Sequence, residues 1–86
     1  MNWSVQIKRS AVKELSRITR ADRLRIVAAI DDLGNHPYRG SALKGDLTGL
    51  RRIRIGSYRV IYEVRETELV VLVVSAGHRK AVYRKN

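Results

Sequence analysis

The chain has 86 residues, and its 18 lysines and arginines outnumber its 8 aspartates and glutamates, giving a formal charge of +10. This length predicts a single domain over residues 1–86, with a thin core and no deep enclosed cofactor pocket. The absence of cysteine excludes disulfides and thiolate zinc sites. The longest apolar run, residues 69–74, is far shorter than the ~20 residues that span a bilayer. With no signal peptide apparent, we expect a soluble, cytoplasmic protein.

The charge is the first indication of function. Ten excess positive charges on so small a body attract polyanions and speed their association. Nucleic acid is therefore the first expected class of partner, ahead of an acidic protein and an anionic membrane surface. The alternative is a basic surface that serves solubility alone.

The first half of the chain predicts one strand and two helices. Apolar and polar residues alternate over 3–7, which indicates a short strand. Apolar residues at helical spacing follow, in one helix capped by Ser10 and a second that begins at Thr19. Gly34 and Pro37 mark the end of the second helix. Two short helices joined at Thr19 predict an antiparallel helical hairpin.

The second half predicts three strands. After a glycine-containing loop over 38–49, apolar residues recur at every second position. A tight turn at Gly56-Ser57 and a second turn over 65–68 separate the strands. The last strand, 69–75, is apolar on both faces and should be central or covered on both sides. A short basic tail, 76–86, follows.

These elements predict an α+β fold. The N-terminal strand, the helical hairpin and a three-stranded antiparallel meander form a four-stranded antiparallel sheet with the helices on one face. The second strand is expected to run antiparallel to the first.

Alternation also predicts a cluster of arginines. If Ile53 and Val60 pack against the helices, then Arg52, Arg54 and Arg59 point to the opposite side of neighbouring strands. We call the surface that carries these three side chains the arginine face. Like charges this close repel one another, so a polyanion or carboxylate-rich partner would account for them.

Other residues extend this prediction. Glu63 falls on the same face and should offset part of the repulsion. The tail can fold over that side with its polar and aromatic residues, His78, Arg79, Lys80, Tyr83, Arg84 and Lys85. Guanidinium groups suit phosphate oxygens, and Tyr83 can stack on an unpaired base, an interaction worth ~1–3 kcal/mol. This combination favours single-stranded RNA over a DNA major groove.

Two segments of the sequence resemble signatures of a known family. Residues 43–64, LKGDLTGLRRIRIGSYRVIYEV, resemble the central signature of the RelE/ParE toxin superfamily, and residues 77–83, GHRKAVY, resemble its C-terminal signature. The order of elements before them agrees, so the resemblance covers essentially the whole chain.

The resemblance implies the toxin of a type II toxin–antitoxin pair. RelE-like members are endoribonucleases that cut mRNA in the ribosomal decoding site and need no metal or cofactor. A ribose 2′-hydroxyl attacks the adjacent phosphate, which leaves a 2′,3′-cyclic phosphate and a 5′-hydroxyl. The implied partners are the ribosome with its message and a cognate antitoxin, with no membrane. The free toxin should be monomeric and should form a hetero-oligomer with its antitoxin.

The resemblance also implies roles for individual residues. The implied catalytic residues are Arg52, Arg54, Arg59, Arg79 and Tyr83. The implied RNA-binding residues are Lys44, His78, Lys80 and Arg84. Ribosome-dependent relatives carry lysine where this chain has arginine at positions 52 and 54, and arginine, with a pKa of ~12.5 or above, is a poor general base. His78 is therefore a candidate proton acceptor, and a surface histidine with no such role is the alternative.

Two other functions stay open at this point. The ParE branch of the superfamily shares the fold but inhibits DNA gyrase and performs no RNA chemistry. A degenerate member would only bind its antitoxin. The presence of Arg59, Arg79 and Tyr83 together favours the RelE branch.

Overall fold

The computed structural model describes residues 2–78. Its helices and strands, in chain order, are β1 (Ser4–Ile7), α1 (Arg9–Ser16), α2 (Arg20–Asp32), β2 (Ser41–Ala42), β3 (Leu50–Ile55), β4 (Tyr58–Arg65) and β5 (Val70–His78). A 3₁₀ turn, Gly45–Leu47, lies between β2 and β3. Four predicted site residues lie outside the described part of the chain, namely Arg79, Lys80, Tyr83 and Arg84.

The sheet has five strands in the order β1-β5-β4-β3-β2. The pairs β2–β3, β3–β4 and β4–β5 are antiparallel, whereas β1 runs parallel to β5. The general α+β class is confirmed, but the predicted four-stranded antiparallel sheet is wrong, because the sheet is mixed and contains an additional strand.

The additional strand, β2, explains why β3 does not run antiparallel to β1 as predicted. Ser41 and Ala42, predicted to be loop, pair with Arg52 and Arg51. The chain therefore reverses once more before β3, and β3 runs in the same direction as β1 with β4 and β5 between them. A two-residue strand is too short for alternation to reveal it.

The most apolar strand is an interior one, as predicted. Strand β5 pairs with β1 on one side and β4 on the other, which satisfies its backbone along both edges. It also continues to His78, three residues beyond the predicted end at Ser75.

Both helices pack on one face of the sheet. The cluster that joins them to the inward side of the strands contains Ala11, Leu15, Ile18, Ile26, Ile30, Leu33, Val60, Tyr62, Val71, Val73 and Ala76. The predicted cap at Ser10 is wrong, since α1 starts at Arg9 with Lys8 at its N-cap. Thr19 is the N-cap of α2, as predicted, although its hydroxyl donates to the Asp22 carboxylate (3.3 Å) and caps no backbone N–H. Among residues 2–78, no helix is long and apolar enough to cross a membrane.

A buried tyrosine fixes the loop between α2 and β2. The Tyr62 side chain is fully buried, and its hydroxyl donates to the Pro37 carbonyl (2.9 Å) and accepts from the Gly40 N–H (2.9 Å). A Cβ at Gly40 would lie 2.7 Å from that hydroxyl oxygen, so glycine is required there for close approach. Arg51 adds a bond from Nε to the Gly40 carbonyl (2.9 Å). These contacts hold β2 at the edge of the sheet, beside β3.

Candidate functional site

The arginine face is formed by β3 and β4. Arg54 and Arg59 are directly opposite each other across the two strands, and Arg52 is opposite Ile61 on β4 and Ser41 on β2. The residues that alternate with them on these strands pack against the helix-covered core. Gly56, with a φ of +59°, makes the turn that brings Arg54 and Arg59 together. The three guanidinium-bearing residues therefore share the face opposite the helices.

The three arginines differ in exposure. Arg59 is buried, with 9% of its surface exposed, while Arg52 is half-buried and Arg54 is exposed. Burial of a guanidinium costs desolvation free energy and limits the positions that the group can take. A fixed cation of this kind suits the stabilisation of charge that develops in a transition state, whereas the exposed Arg54 can adapt to a ligand.

A shallow depression lies beside the arginine face. Its volume is about 320 Å³, and its lining residues are Arg39, Ser41, Arg52, Ile53 and Arg54. Arg39 was missed by sequence reasoning, because it stands in a loop without periodicity. The structure brings it to β2, and an ion pair with Asp32 (2.5 Å) holds its guanidinium. Three basic residues thus surround a space wide enough for a phosphate group.

Glu63 lies on the arginine face, as predicted, because it is opposite Leu50 and therefore on the same side of β3 as Arg52 and Arg54. Its carboxylate accepts a hydrogen bond from Arg65 Nε (2.9 Å), two residues along the same strand. This bond and the Coulombic attraction to Glu63 raise the pKa of Arg65.

Two predicted RNA-binding residues, Lys44 and His78, lie away from the pair formed by Arg54 and Arg59. Lys44 is exposed at the start of the 3₁₀ turn, next to Leu43, whose N–H donates to the Leu50 carbonyl. That is the opposite end of β3 from Arg54, roughly 13 Å along the strand.

The structure also places His78 apart from the arginines. His78 is opposite Tyr58, with ring centroids 5.9 Å apart in an edge-to-face arrangement, and Tyr58 packs against the core. The histidine therefore lies on the helix side of the sheet. The hypothesis that His78 takes a proton from a substrate held on the arginine face does not fit this geometry.

The described arrangement can bind and stabilise a phosphate but cannot itself remove a proton. A guanidinium group has five N–H donors and no acceptor, so Arg52, Arg54 and Arg59 act as donors and cations only. Within residues 2–78 there is no cluster of three or more histidine, aspartate or glutamate side chains that could hold a metal ion.

Comparisons with known proteins identify the family. Residues 5–83 match the model of the ParE toxin of type II toxin–antitoxin systems. The chain belongs to this family. It is therefore a toxin of a type II toxin–antitoxin system within the RelE/ParE superfamily, which confirms the resemblance of the two sequence segments.

Relatives with RelE-type names are similar over nearly the whole chain. Toxin RelE of Mycobacterium tuberculosis is 33% identical over 86 residues, which cover 98% of this chain and 89% of the relative. Toxin RelG of the same organism is 29% identical over 91 residues, covering 99% of this chain and 100% of the relative. A chain of the M. tuberculosis RelBE2 toxin–antitoxin complex has a similar structure, with a TM-score of 0.85 at 26% identity over 92% of this chain and 100% of that chain.

Proposed function

We propose that this toxin is a ribosome-dependent, metal-independent endoribonuclease that cleaves mRNA and so inhibits translation. The observation that carries the proposal is the pairing of Arg54 with Arg59 across β3 and β4, with Arg52 on the same face. Such a surface supplies several guanidinium groups to one phosphate and its neighbours along a strand. The relatives named RelE and RelG support the choice of the RelE branch.

The proposed reaction is a transesterification. The ribose 2′-oxygen forms a bond to the adjacent phosphorus, and the bond from phosphorus to the 5′-oxygen breaks. The 2′-hydroxyl loses its proton to a base, and the leaving 5′-oxygen gains one, so the products are a 2′,3′-cyclic phosphate and a 5′-hydroxyl. Arg59, fixed by burial, stabilises the additional negative charge on the non-bridging oxygens of the reacting phosphate. The more exposed Arg52 and Arg54 bind the phosphates on either side.

The C-terminal segment supplies the remaining roles in this proposal. Arg79 acts as the acid or charge stabiliser at the leaving oxygen, and Tyr83 stacks on a substrate base. Lys80 and Arg84 add phosphate contacts. These assignments rest on the match of residues 77–83 to the C-terminal signature of the superfamily.

The proposed partners are mRNA in the decoding site of cytoplasmic ribosomes and a cognate antitoxin. The similar RelBE2 structure is a toxin–antitoxin complex, which supports an antitoxin for this chain. With a charge of +10, the toxin should favour an antitoxin segment that is acidic or amphipathic and covers the arginine face. The free toxin is then monomeric, and the complex is a hetero-oligomer.

Inhibition of DNA gyrase is the second candidate function. It is favoured by one observation, namely that the matching family model describes a ParE toxin. In that case the arginine face would bind a protein partner and no RNA would be cut.

Cleavage of a defined message on programmed ribosomes tests the proposal. Wild type should produce a cut in the decoding site whose ends map to a cyclic phosphate and a 5′-hydroxyl, and Arg79→Ala should lose at least about 99% of this activity. Arg20→Ala, which removes the same charge from an exposed position on α2, is the matched control and should cleave like wild type. Intact message together with accumulation of relaxed plasmid in a gyrase assay would instead establish the second candidate, and failure in both assays would leave antitoxin binding alone.

A further inference from the structure

The shallow depression beside the arginine face lies on the opposite side of β3 from Arg59. Strand β4, which carries Arg59 opposite Arg54, pairs with one edge of β3, whereas β2 pairs with the other. The depression is on the β2 side, because Ser41 of β2 and Arg39 of the preceding loop line it together with Arg52 and Arg54. It therefore extends the basic surface beyond the arginine that is proposed to stabilise the reacting phosphate.

Hydrogen bonds hold the backbone on both sides of Arg39. The Arg39 N–H donates to the His36 carbonyl (3.1 Å) and closes a turn. The next residue, Gly40, donates its N–H to the buried Tyr62 hydroxyl, and its carbonyl accepts from Arg51 Nε, both at 2.9 Å. The loop that carries Arg39 is therefore tied to the sheet and gives this side chain a defined position at its edge.

The register of β2 brings residue 39 beside Arg54. Ser41 is opposite Arg52, and side chains two residues apart on a strand point to the same face. Although the chain bends before Ser41, Arg39 and Arg54 line the same depression. Arg59, Arg54 and Arg39 therefore form a row across three neighbouring segments, which extends ~10 Å at ~4.8 Å per strand.

An acidic residue holds the Arg39 guanidinium. Asp32, the last residue of α2, accepts a hydrogen bond from Arg39 at 2.5 Å, and its second oxygen lies 3.4 Å from His36 Nδ1. The Arg39 side chain is nevertheless 66% exposed. A guanidinium has five N–H donors, so its bond to Asp32 leaves donors for a ligand. Because the pair restricts the side chain, Arg39 loses less freedom when it binds an anion.

We propose that this depression is a binding subsite for a phosphate that flanks the cleaved bond of the message, with Arg39 as an RNA-binding residue. Three guanidinium groups surround the space, and the Ser41 hydroxyl can donate a further hydrogen bond. The row of arginines favours RNA over an acidic peptide, because a basic groove across the strands follows a backbone with a charge at every nucleotide. This inference rests on the proposed function. Arg39 contacts no reacting atom in this account.

Binding of a non-cleavable RNA tests the subsite. The probe is a fluorescent 2′-O-methyl strand of about five nucleotides, in which one phosphate at a time is replaced by a neutral methylphosphonate. Arg39→Ala should bind the fully charged strand about tenfold more weakly than wild type. One methylphosphonate position should weaken wild type by a similar factor and Arg39→Ala hardly at all, because the two changes remove the same contact. Arg20→Ala, which removes one exposed charge from α2, should keep the wild-type pattern.

A second background separates a direct contact from a change in local charge. Arg39→Ala alone leaves the Asp32 carboxylate without this partner beside the depression, where it repels a phosphate. In an Asp32→Asn background this repulsion is absent, and Arg39→Ala should still weaken binding by about threefold or more and remove the effect of the same methylphosphonate. Circular dichroism at the assay temperature establishes that each variant is folded.

Kinetics on programmed ribosomes relate the subsite to the reaction. Arg39→Ala should raise KM for message cleavage about tenfold with kcat within about twofold, because Arg39 contributes binding alone. A fall in kcat with KM unchanged would overturn this role.

Two binding results would overturn the subsite. One is an Arg39→Ala defect that is equal for every methylphosphonate strand. The other is unchanged RNA binding by Arg39→Ala, which, together with weaker binding of polyglutamate, would assign the depression to an acidic protein partner. If wild type itself cleaves no message, the proposed function fails and the link to a cleaved bond falls with it, whereas the methylphosphonate pattern still decides whether Arg39 binds a phosphate.

Discussion

The two faces of the sheet are built from the same strands but differ in what they contribute. On β4, Val60 and Tyr62 are fully buried under the helices, whereas Arg59, between them and the turn, belongs to the opposite face. The helix side contributes apolar burial, at about 25 cal/mol per Å². The arginine face gathers like charges, which oppose folding. The comparison indicates that alternate residues of the same strands supply the apolar core and the surface to which we assign the proposed function.

This division predicts that substitutions on the two faces affect different measurements. Changes on the helix side should lower the free energy of unfolding and leave the folded protein's affinity for RNA unchanged. Substitution of the exposed Arg54 on the arginine face should lower affinity or activity and leave the free energy of unfolding nearly unchanged.

The largest effect on stability is expected from Ile30→Ala. Ile30 is fully buried between α2 and the sheet, so the substitution should lower the free energy of unfolding by about 3 kcal/mol through lost burial and a cavity. Urea denaturation followed by circular dichroism measures the change. Val12→Ala on α1 is the control, since Val12 is 50% exposed and should lose about 1 kcal/mol at most. Equal losses for the two variants would contradict the placement of the core.

A smaller loss is expected from Tyr62→Phe. Removal of the hydroxyl leaves the Gly40 N–H and the Pro37 carbonyl without the partner that they have in the buried loop anchor. The free energy of unfolding should fall by about 2 kcal/mol, again by urea denaturation. An unchanged midpoint and slope would show that the loop does not depend on this anchor.

On the other face, Arg54→Ala should weaken RNA binding without a measurable change in unfolding. The exposed Arg54 is proposed to contact one phosphate, so affinity for a single-stranded RNA should fall and the slope of log K against log salt should decrease by about 0.7. Fluorescence titration between low and moderate salt measures both quantities. Arg20→Ala controls for the loss of one charge. An identical salt slope for Arg54→Ala and wild type would remove Arg54 from the RNA contact.

The smallest effect on stability is expected from Tyr38→Phe, in the exposed loop between α2 and β2. The Tyr38 hydroxyl donates to Glu66, and this bond raises the pKa of Tyr38 above its usual value of ~10. A raised pKa in the folded state stabilises the fold below pH ~10, and this contribution disappears as the pH rises through the folded value. Tyr38→Phe should therefore melt slightly below wild type at pH 7, and the difference should vanish at strongly alkaline pH. A difference independent of pH would show that the hydrogen bond contributes nothing.

The sequence predicted the parts of the fold that depend on local pattern. Alternation over β3 and β4, with Gly56 between them, predicted both the hairpin and the side on which Arg52, Arg54 and Arg59 lie. The two helices followed from apolar spacing in the same way.

The errors concern features that depend on distant contacts. Nothing local indicates that β1 pairs with β5 in parallel, since this pairing joins residues more than sixty positions apart. The register shift in β5, where Tyr62 is opposite Val73 and Ile61 is opposite Ser75, falls in an apolar run, in which alternation carries no signal. His78 was expected near the arginines because it was assigned to a tail that folds over their side, whereas it is the last residue of β5 and is opposite Tyr58.

The arginines on β3 and β4 were predicted as site residues, whereas Arg39 in the adjoining loop was missed. The face on which the arginines of β3 and β4 lie follows from the alternation of side chains along a strand. Arg39 lies on a loop and comes beside β3 only through tertiary structure, where it is held by its ion pair with Asp32. Such residues carry no periodic pattern that relates them to the strands.

The most direct test of the account is the rate of message cleavage by Arg59→Ala on programmed ribosomes, measured together with its thermal unfolding. We expect folded Arg59→Ala to cleave about 100-fold or more slowly than wild type, because the buried Arg59 is proposed to stabilise the reacting phosphate. The unfolding curve establishes that the variant is folded at the assay temperature. Cleavage at the wild-type rate by folded Arg59→Ala would contradict the central claim that the arginine face carries the chemistry.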